Sequence, residues 1–376
     1  MTTTQAQHVL VTTRGRLGHI RLNRPAKINA LTVAMITQVR SALDRFSSDE
    51  SVQAVLIDGA GERGLCAGGD IAAVYDGLTG AAAGPEAFWG DEYRMNLEIA
   101  QYPKPVVALM DGIVFGGGLG ISGHASVRVV TETSQVAMPE TAIGLSPDVG
   151  GLYLLARAPG ELGTHAALTG ARFGPADAIA AGLADHFVPR ANLARLVERL
   201  AVPGGWTGSD GGDGAVRPGD PAAAPNISSQ AGDDAGVLHA VAGAVTALSE
   251  SPPPGRWPTD RPWIDACYAG DDAREMLHRL RSRSEGAAAR AAEVLAGMSP
   301  TAVAVTLRAV RNAATMTLAQ VLEQDLMLCT RFMDHPDFAE GIRARIIDKD
   351  RHPRWRPSSL KEVTAADVDA FFVPLG

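Results

Sequence analysis

Hydrophobic and polar residues follow two alternating rhythms along the first half of the chain. HVLVTT (His8 to Thr13) and HIRLN (His19 to Asn23) read as strands, and the turn-prone Arg14-Gly15-Arg16 between them makes a hairpin. Over Thr32 to Phe46 the period lengthens, with Met35, Ile36, Val39, Leu43 and Phe46 on one face and Thr32 as the N-cap, which predicts an amphipathic helix. AVLIDG (Ala54 to Gly59) and PVVALMDG (Pro105 to Gly112) are nearly continuous apolar runs, as expected of strands covered on both faces. Each leads into a glycine-rich turn. From about Gly150 to Leu200 the pattern is helical, with Leu152, Leu155, Ala166 and Leu168 as expected core positions. Strands alternating with helices in this way predict an α/β fold.

The rhythm breaks at residues 203–236, a Gly-, Pro-, Asp- and Ala-rich segment with almost no large aliphatic side chains. Such a stretch buries too little apolar surface to offset its chain entropy and is expected to be a flexible excursion. Beyond it the signals are helical: Asp271 to Arg283, Thr301 to Ala313, and Leu318 to Phe332 with Val321, Leu322, Leu326 and Cys329 on one stripe. The expected organisation is therefore a catalytic core over 1–202, an insertion over 203–236 and a helical C-terminal lobe over 237–376. No internal repeat of fixed period is found.

Composition narrows the function classes. The 376 residues are 46% hydrophobic, enough for a sizeable core, and 42 acidic against 34 basic side chains give a net charge of −8. That balance argues against general nucleic-acid binding and against anionic membranes. Three widely spaced cysteines without a CxxC pair support neither a disulfide framework nor a zinc site. The first residues lack the basic-then-apolar pattern of a secretory signal, and Asp111 and a glycine cluster interrupt the longest apolar run, Pro105 to Ser122. A soluble protein of the reducing cytoplasm is expected.

Candidate chemistry concentrates between Cys66 and Gly151. CAGGD (Cys66 to Asp70) follows a buried strand; its glycines allow close backbone approach, and Asp70 suits a helix start, so that the Gly69 amide projects into a cleft. A plain glycine turn capped by Asp70 fits the same residues. DGIVFGGGLGISGH (Asp111 to His124) carries Gly116, Gly117 and Gly118 into a helix, whose positive end stabilises a developing negative oxygen, with Gly117 as the donor. Close helix packing is the alternative. Gly118, Gly120 and Gly123 also satisfy G-x-G-x-x-G, but the dinucleotide fingerprint begins where its strand ends, and here Asp111 to Phe115 intervene. MPETAIGLSPDVGG (Met138 to Gly151) sets Glu140 and Asp148 in an apolar stretch; desolvation raises a carboxyl pKa and suits it to acid/base work near neutrality. A helix-dipole partner for Glu140 and a turn role for Asp148 fit each residue singly. Two amide donors with a carboxylate pair are together what thioester chemistry needs.

With these blocks in view, the sequence resembles the crotonase (enoyl-CoA hydratase/isomerase) superfamily, and within it the 3-hydroxyisobutyryl-CoA hydrolase branch. The resemblance runs from HIRLNRPAKINAL through CAGGDI, DGIVFGGGLGIS and MPETAIGLSPDVGG to the distal SPTAVAVTLR and DFAEGIRARIIDKDRHPRWRP. It implies a crotonase-like spiral core of repeated ββα units with a helical C-terminal lobe, acting as an acyl-CoA thioesterase of valine catabolism. By motif, Gly69 and Gly117 are implied to form the oxyanion hole, Glu140 and Asp148 to be the active-site acids, and Glu92 in GDEYRMN to be a further substrate-contacting carboxylate. Coenzyme A, as part of the substrate, is implied along CAGGDI near Lys27, Ala67, Asp70 and Ile71, with no separate cofactor or metal and with self-association into a homo-oligomer.

Two features depart from the family pattern. Typical hydratases carry a glutamate where this chain has Gly120, and hydration of a double bond needs two acids, whereas hydrolysis survives the loss. The 203–236 insertion is the second. The alternatives are an enoyl-CoA hydratase or isomerase on the same fold, or a non-catalytic acyl-CoA- or RNA-binding member. Bland roles are expected for His124 as a satisfied helix residue and for Cys66 as a small buried hydrophobe. Ser122 lacks a G-x-S-x-G elbow, and the basic run Arg343, Arg345, Lys349, Arg351, Arg354 and Arg356 is expected to be a solvated face.

Overall fold

The computed structural model describes residues 7–72, 85–202, 206 and 233–374. Strands β1 (Val9–Arg14) and β2 (Leu17–Leu22) form the expected antiparallel hairpin. Helix α1 (Val33–Ser48) follows, with the Thr32 side chain accepting from the Met35 amide as its N-cap. Then β3 (Ala54–Gly59) leads towards α2 (Pro85–Ala100), and β4 (Val106–Met110) and β5 (Ile113–Phe115) towards α3 (Gly117–Gly123). The chain continues through β6 (Val127–Val130), β7 (Gln135–Ala137), α4 (Gly151–Leu155), α5 (Leu162–Thr169), α6 (Pro175–Ala180), β8 (His186–Phe187) and α7 (Leu193–Ala201).

The main sheet has the order β1-β2-β3-β4-β6-β8 and is parallel from β2 onward. Parallel strands joined by crossovers are buried on both faces, which explains the unbroken apolar runs. Val55 and Ile57 enter the main core, while Ala54 and Leu56 enter a second core on the opposite face. The second strand of each unit turns out of this sheet into another layer, where β5 pairs with β7 and single bridges join Leu31 to Gly69, Cys66 to Val114 and Val136 to Phe173. This stacked second layer brings the glycine-rich turns of successive units side by side.

The C-terminal half is helical: α8 (Asp233–Thr246) packs on the second core, and α9 (Trp257–Tyr268), α10 (Ala273–Arg281), α11 (Gly286–Gly297), α12 (Pro300–Ala313), α13 (Leu318–Met333), α14 (Pro336–Ile342) and α15 (Ala365–Phe371) complete the main core. Caps at Asp272, Ser299, Thr317 and Thr364 satisfy helix-start amides, so each periodic stretch begins at a definite residue. The helical reading of Gly150 to Leu200 needs one correction. β8, two residues long, adds a last strand to the sheet there, too short to disturb the surrounding helical period.

Most of the expected excursion, 207–232, lies outside the described residues. Its two ends depart from the expectation. Trp206 is buried in the second core, donating its indole N–H to the Leu200 carbonyl at 3.1 Å beneath the Arg16 guanidinium, because one large aromatic ring is enough to anchor a polar segment. Asp233 to Gly236 already belong to α8, whose Val241, Ala244 and Val245 pack on the same core.

Candidate active site

The two glycine loops meet because of strand geometry. Leu31 donates its amide to the Gly68 carbonyl, and the Asp70 amide donates back to the Leu31 carbonyl, each at 2.8 Å. Alternation along the extended backbone therefore turns the intervening Gly69 N–H the other way. In the neighbouring loop, Gly116 precedes α3 at φ +49°, a left-handed conformation suited to glycine, and leaves Gly117 as the first helical residue. A methyl carbon on Gly118 would overlap the Cys66 carbonyl oxygen, which explains the close packing of α3 on the first loop. A methyl carbon on Gly117 would stand 3.4 Å from the Gly69 nitrogen, so the two amides are neighbours. Among the described residues neither donates to a backbone carbonyl.

Carboxyl groups crowd this point. Glu92, on α2, brings Oε1 to where a Gly117 side chain would begin. Glu140 opens a short turn after β7 and sets Oε1 2.7 Å from the corresponding point on Gly116. Both are buried, and Glu92 Oε1 and Glu140 Oε2 find no hydrogen-bond partner among the described residues. Burial pushes both carboxyls well above the usual range, and the charge of Asp148 adds to the effect. Asp148 is also buried, but it accepts a 2.7 Å hydrogen bond from the Tyr93 hydroxyl; burial outweighs this and raises it to about 6. The structure thus brings Gly69, Gly117, Glu92, Glu140 and Asp148 together.

Three further polar side chains share this interior. Asp325, on α13, accepts the Gly150 amide at 2.9 Å, and its other oxygen has no partner among the described residues; burial holds its carboxyl well above the usual range. Cys329, one helical turn on, lies 3.1 Å from the Tyr93 hydroxyl. Asn96, one turn beyond Glu92 on α2, is fully buried, and neither of its amide atoms has a partner among the described residues. The sequence reading missed Asp325, Asn96 and Tyr93, and placed Cys329 only on an apolar stripe. For Asp325 a signal existed: an acid four residues before Cys329 within an apolar helix, a pairing that lies on one face.

The residues expected along coenzyme A lie on one rim of the loop. Lys27 is exposed on the turn Pro25–Lys27, Ala67 donates its amide to the Ile28 carbonyl at 2.9 Å, and Ile71 is half-buried. Asp70 pairs with Arg24 at 2.7 Å, and Arg24 is a basic residue the motif reading passed over.

The family profile for enoyl-CoA hydratase/isomerase matches residues 17–372. The chain belongs to that family. It is 38% identical over 373 residues to the 3-hydroxyisobutyryl-CoA hydrolase, mitochondrial, of Rattus norvegicus, covering 99% of this chain and 90% of the relative. Among solved structures it is similar to a carnitinyl-CoA dehydratase from Mycobacterium thermoresistibile, with a TM-score of 0.85 and 42% identity over 98% of this chain and 97% of that one. An enoyl-CoA hydratase from Rhodobacter sphaeroides aligns with a TM-score of 0.84 and 40% identity, covering 98% of each. The expected crotonase fold is therefore present over nearly the whole chain.

Within this enoyl-CoA hydratase/isomerase family member, Gly120 is a closed position. A methyl carbon there would stand 2.7 Å from Val149 Cβ and 3.0 Å from Asn96 Nδ2, so the missing glutamate also has no room. The bland expectations hold. His124 meets the Val149 carbonyl at 2.8 Å and is pushed down to about 4 by burial, Ser122 donates to the Gly118 carbonyl, and burial raises the Cys66 thiol to about 12. Arg343 spends its charge on Glu340, Asp348 and Asp350 at the surface. No helix among the described residues is long and apolar enough to cross a membrane.

Proposed function

We propose that this protein hydrolyses acyl-CoA thioesters, with 3-hydroxyisobutyryl-CoA as its substrate. The observation that carries this reading is the closed position at Gly120, from which no second acid can project to pair with Glu140 as in a typical hydratase. The thioester carbonyl accepts hydrogen bonds from the Gly69 and Gly117 amides, which stabilise the oxygen as it gains charge in a site shielded from water. Glu140 then takes a proton from water as it attacks the carbonyl carbon, or attacks directly and is released from a mixed anhydride by water. In either route the C–S bond breaks, the sulfur takes a proton to leave as coenzyme A, and the acyl group departs as a carboxylic acid. Asp148 orients the water or delivers the proton, and Glu92 contacts the substrate. The nucleotide and pantetheine run past Lys27, Ala67, Asp70 and Ile71.

The chemistry requires no resident cofactor or metal. We assign the protein to a reducing compartment such as the cytoplasm, in keeping with three buried free cysteines, and expect the helical lobe to support a homo-oligomer. The name of the rat relative also supports the hydrolase reading.

The deciding measurement is release of free thiol from a panel of acyl-CoA esters, with 3-hydroxyisobutyryl-CoA cleaved far faster than crotonyl-CoA is hydrated. Efficient hydration without thiol release would overturn the proposal in favour of a hydratase, and binding without turnover in favour of a non-catalytic member.

Tyr93 gives this reading a pH signature. Its hydrogen bond favours the ionised form of Asp148, which otherwise rises with burial. Glu140 must be ionised to act as base or nucleophile and its carboxyl is held well above the usual range, so the acidic limb of kcat/KM reports Glu140 and Asp148 as a pair, with Asp148 contributing near pH 6. Tyr93→Phe is expected to move that acidic limb to higher pH, and an unmoved limb in a folded variant would separate Asp148 from the profile.

A further inference from the structure

Asn96 presents a buried amide whose partners are missing. It is fully buried, neither Nδ2 nor Oδ1 has a partner among the described residues, and it lies one turn from Glu92 on the same face of α2. Its Nδ2 stands 3.0 Å from the point where a Gly120 side chain would begin, opposite Val149 and next to Asp148 in sequence. An amide holds two N–H donors and a two-lone-pair acceptor, and burying them unpaired is costly unless a water or ligand completes them. The same amide also stands where the second glutamate of a hydratase would project.

We propose that Asn96 is the specificity-determining residue for a hydroxyl group on the acyl chain, so that the site prefers hydroxyacyl-CoA thioesters over their plain acyl counterparts. A hydroxyl both donates and accepts, which matches an amide carrying both functions; a hydrocarbon chain leaves both amide atoms unpaired. A site built around a hydrogen bond rejects the analogue lacking that partner far more strongly than an apolar pocket rejects an extra methyl group. Val149 lies on the other side of the same point, its Cβ 2.7 Å from where a Gly120 side chain would begin.

The inference rests on the hydrolase reading for its substrate class, and equilibrium binding tests it apart from turnover. In a Glu140→Gln background, the Kd of 3-hydroxyisobutyryl-CoA and of isobutyryl-CoA would be measured by calorimetry with Asn96 present and with Asn96→Leu. Asn96 is expected to favour the hydroxylated ligand by at least ~10-fold. Asn96→Leu should abolish that preference by weakening the hydroxylated ligand, with isobutyryl-CoA kept within about threefold and Tm maintained. Equal affinity for both ligands with Asn96 present overturns the proposal, as does parallel weakening of both in the variant, which marks a structural amide holding a buried water. Asn96→Ala, which adds no bulk near Val149, gives the same comparison if the leucine variant does not fold. Failure of the hydrolase reading shows separately, as absent thiol release from the unsubstituted enzyme.

Discussion

Glu140→Gln is expected to lower thioester turnover by roughly 10²–10⁴-fold while leaving the Kd for acyl-CoA within about threefold. The amide keeps the shape of the side chain and removes the oxygen proposed to take a proton or attack carbon. Burial gives the same substitution an opposite effect on stability. The Glu140 carboxyl titrates well above its usual range in the folded protein, so between its unfolded and folded values the folded state holds the extra proton. The stabilisation linked to that proton is complete below the unfolded value and is lost as pH rises through the folded one. A glutamine has no such loss, so the Tm advantage of the variant should grow from acidic to alkaline pH. Thiol-release kinetics, calorimetric binding and thermal melts across pH test the three expectations. Near-normal turnover in a folded Glu140→Gln protein would remove Glu140 from the mechanism.

Gly117→Pro is expected to cost at least ~10²-fold in kcat, the scale of losing one donor to a developing oxyanion. Gly117 is the first residue of α3, where proline is tolerated because that amide has no intrahelical partner. The complication is Glu92, whose Oε1 occupies the space that any side chain at this position enters. Gly117→Ala provides the control: it introduces the same first carbon and displaces the same carboxyl, yet keeps the N–H. Proline should therefore fall well below alanine in kcat, with both variants folded by circular dichroism. Equal losses would assign the effect to displacement of Glu92 and leave the amide without a role.

Both substitutions act on groups whose place in the chain was readable and whose environment was not. Gly69, Gly117, Glu140 and Asp148 lie in short motifs that follow buried strands, and the resemblance to the family aligned them before any fold was known. The motif alone left Asp148 with a turn role as an alternative. The Tyr93 hydroxyl at 2.7 Å and the burial that raises Asp148 to about 6 come from a helix and a turn 55 residues apart. Gly120 read as a missing acid, but the sequence did not say that the space is filled. Val149, itself at φ +54°, and Asn96 close it from two different elements.

What the sequence by itself determined is what local rules govern. Periodicity set the hairpin, α1, the buried strands and the distal helices to within a few residues, because side-chain spacing and caps act over one or two turns. Composition marked 203–236 as exceptional, while Trp206 and the start of α8 at Asp233 followed from anchoring on a core that composition does not describe. Tertiary structure alone decided which polar groups share an interior. Asp325 reaches the Gly150 amide from α13 across 175 positions, and Asn96 faces Gly120 from α2. A polar residue in an apolar helix looks alike in sequence whether its partner is water, a backbone amide or a ligand. Only the packing of stacked strands and helices removes the water and makes the remaining partner, or its absence, a chemical fact.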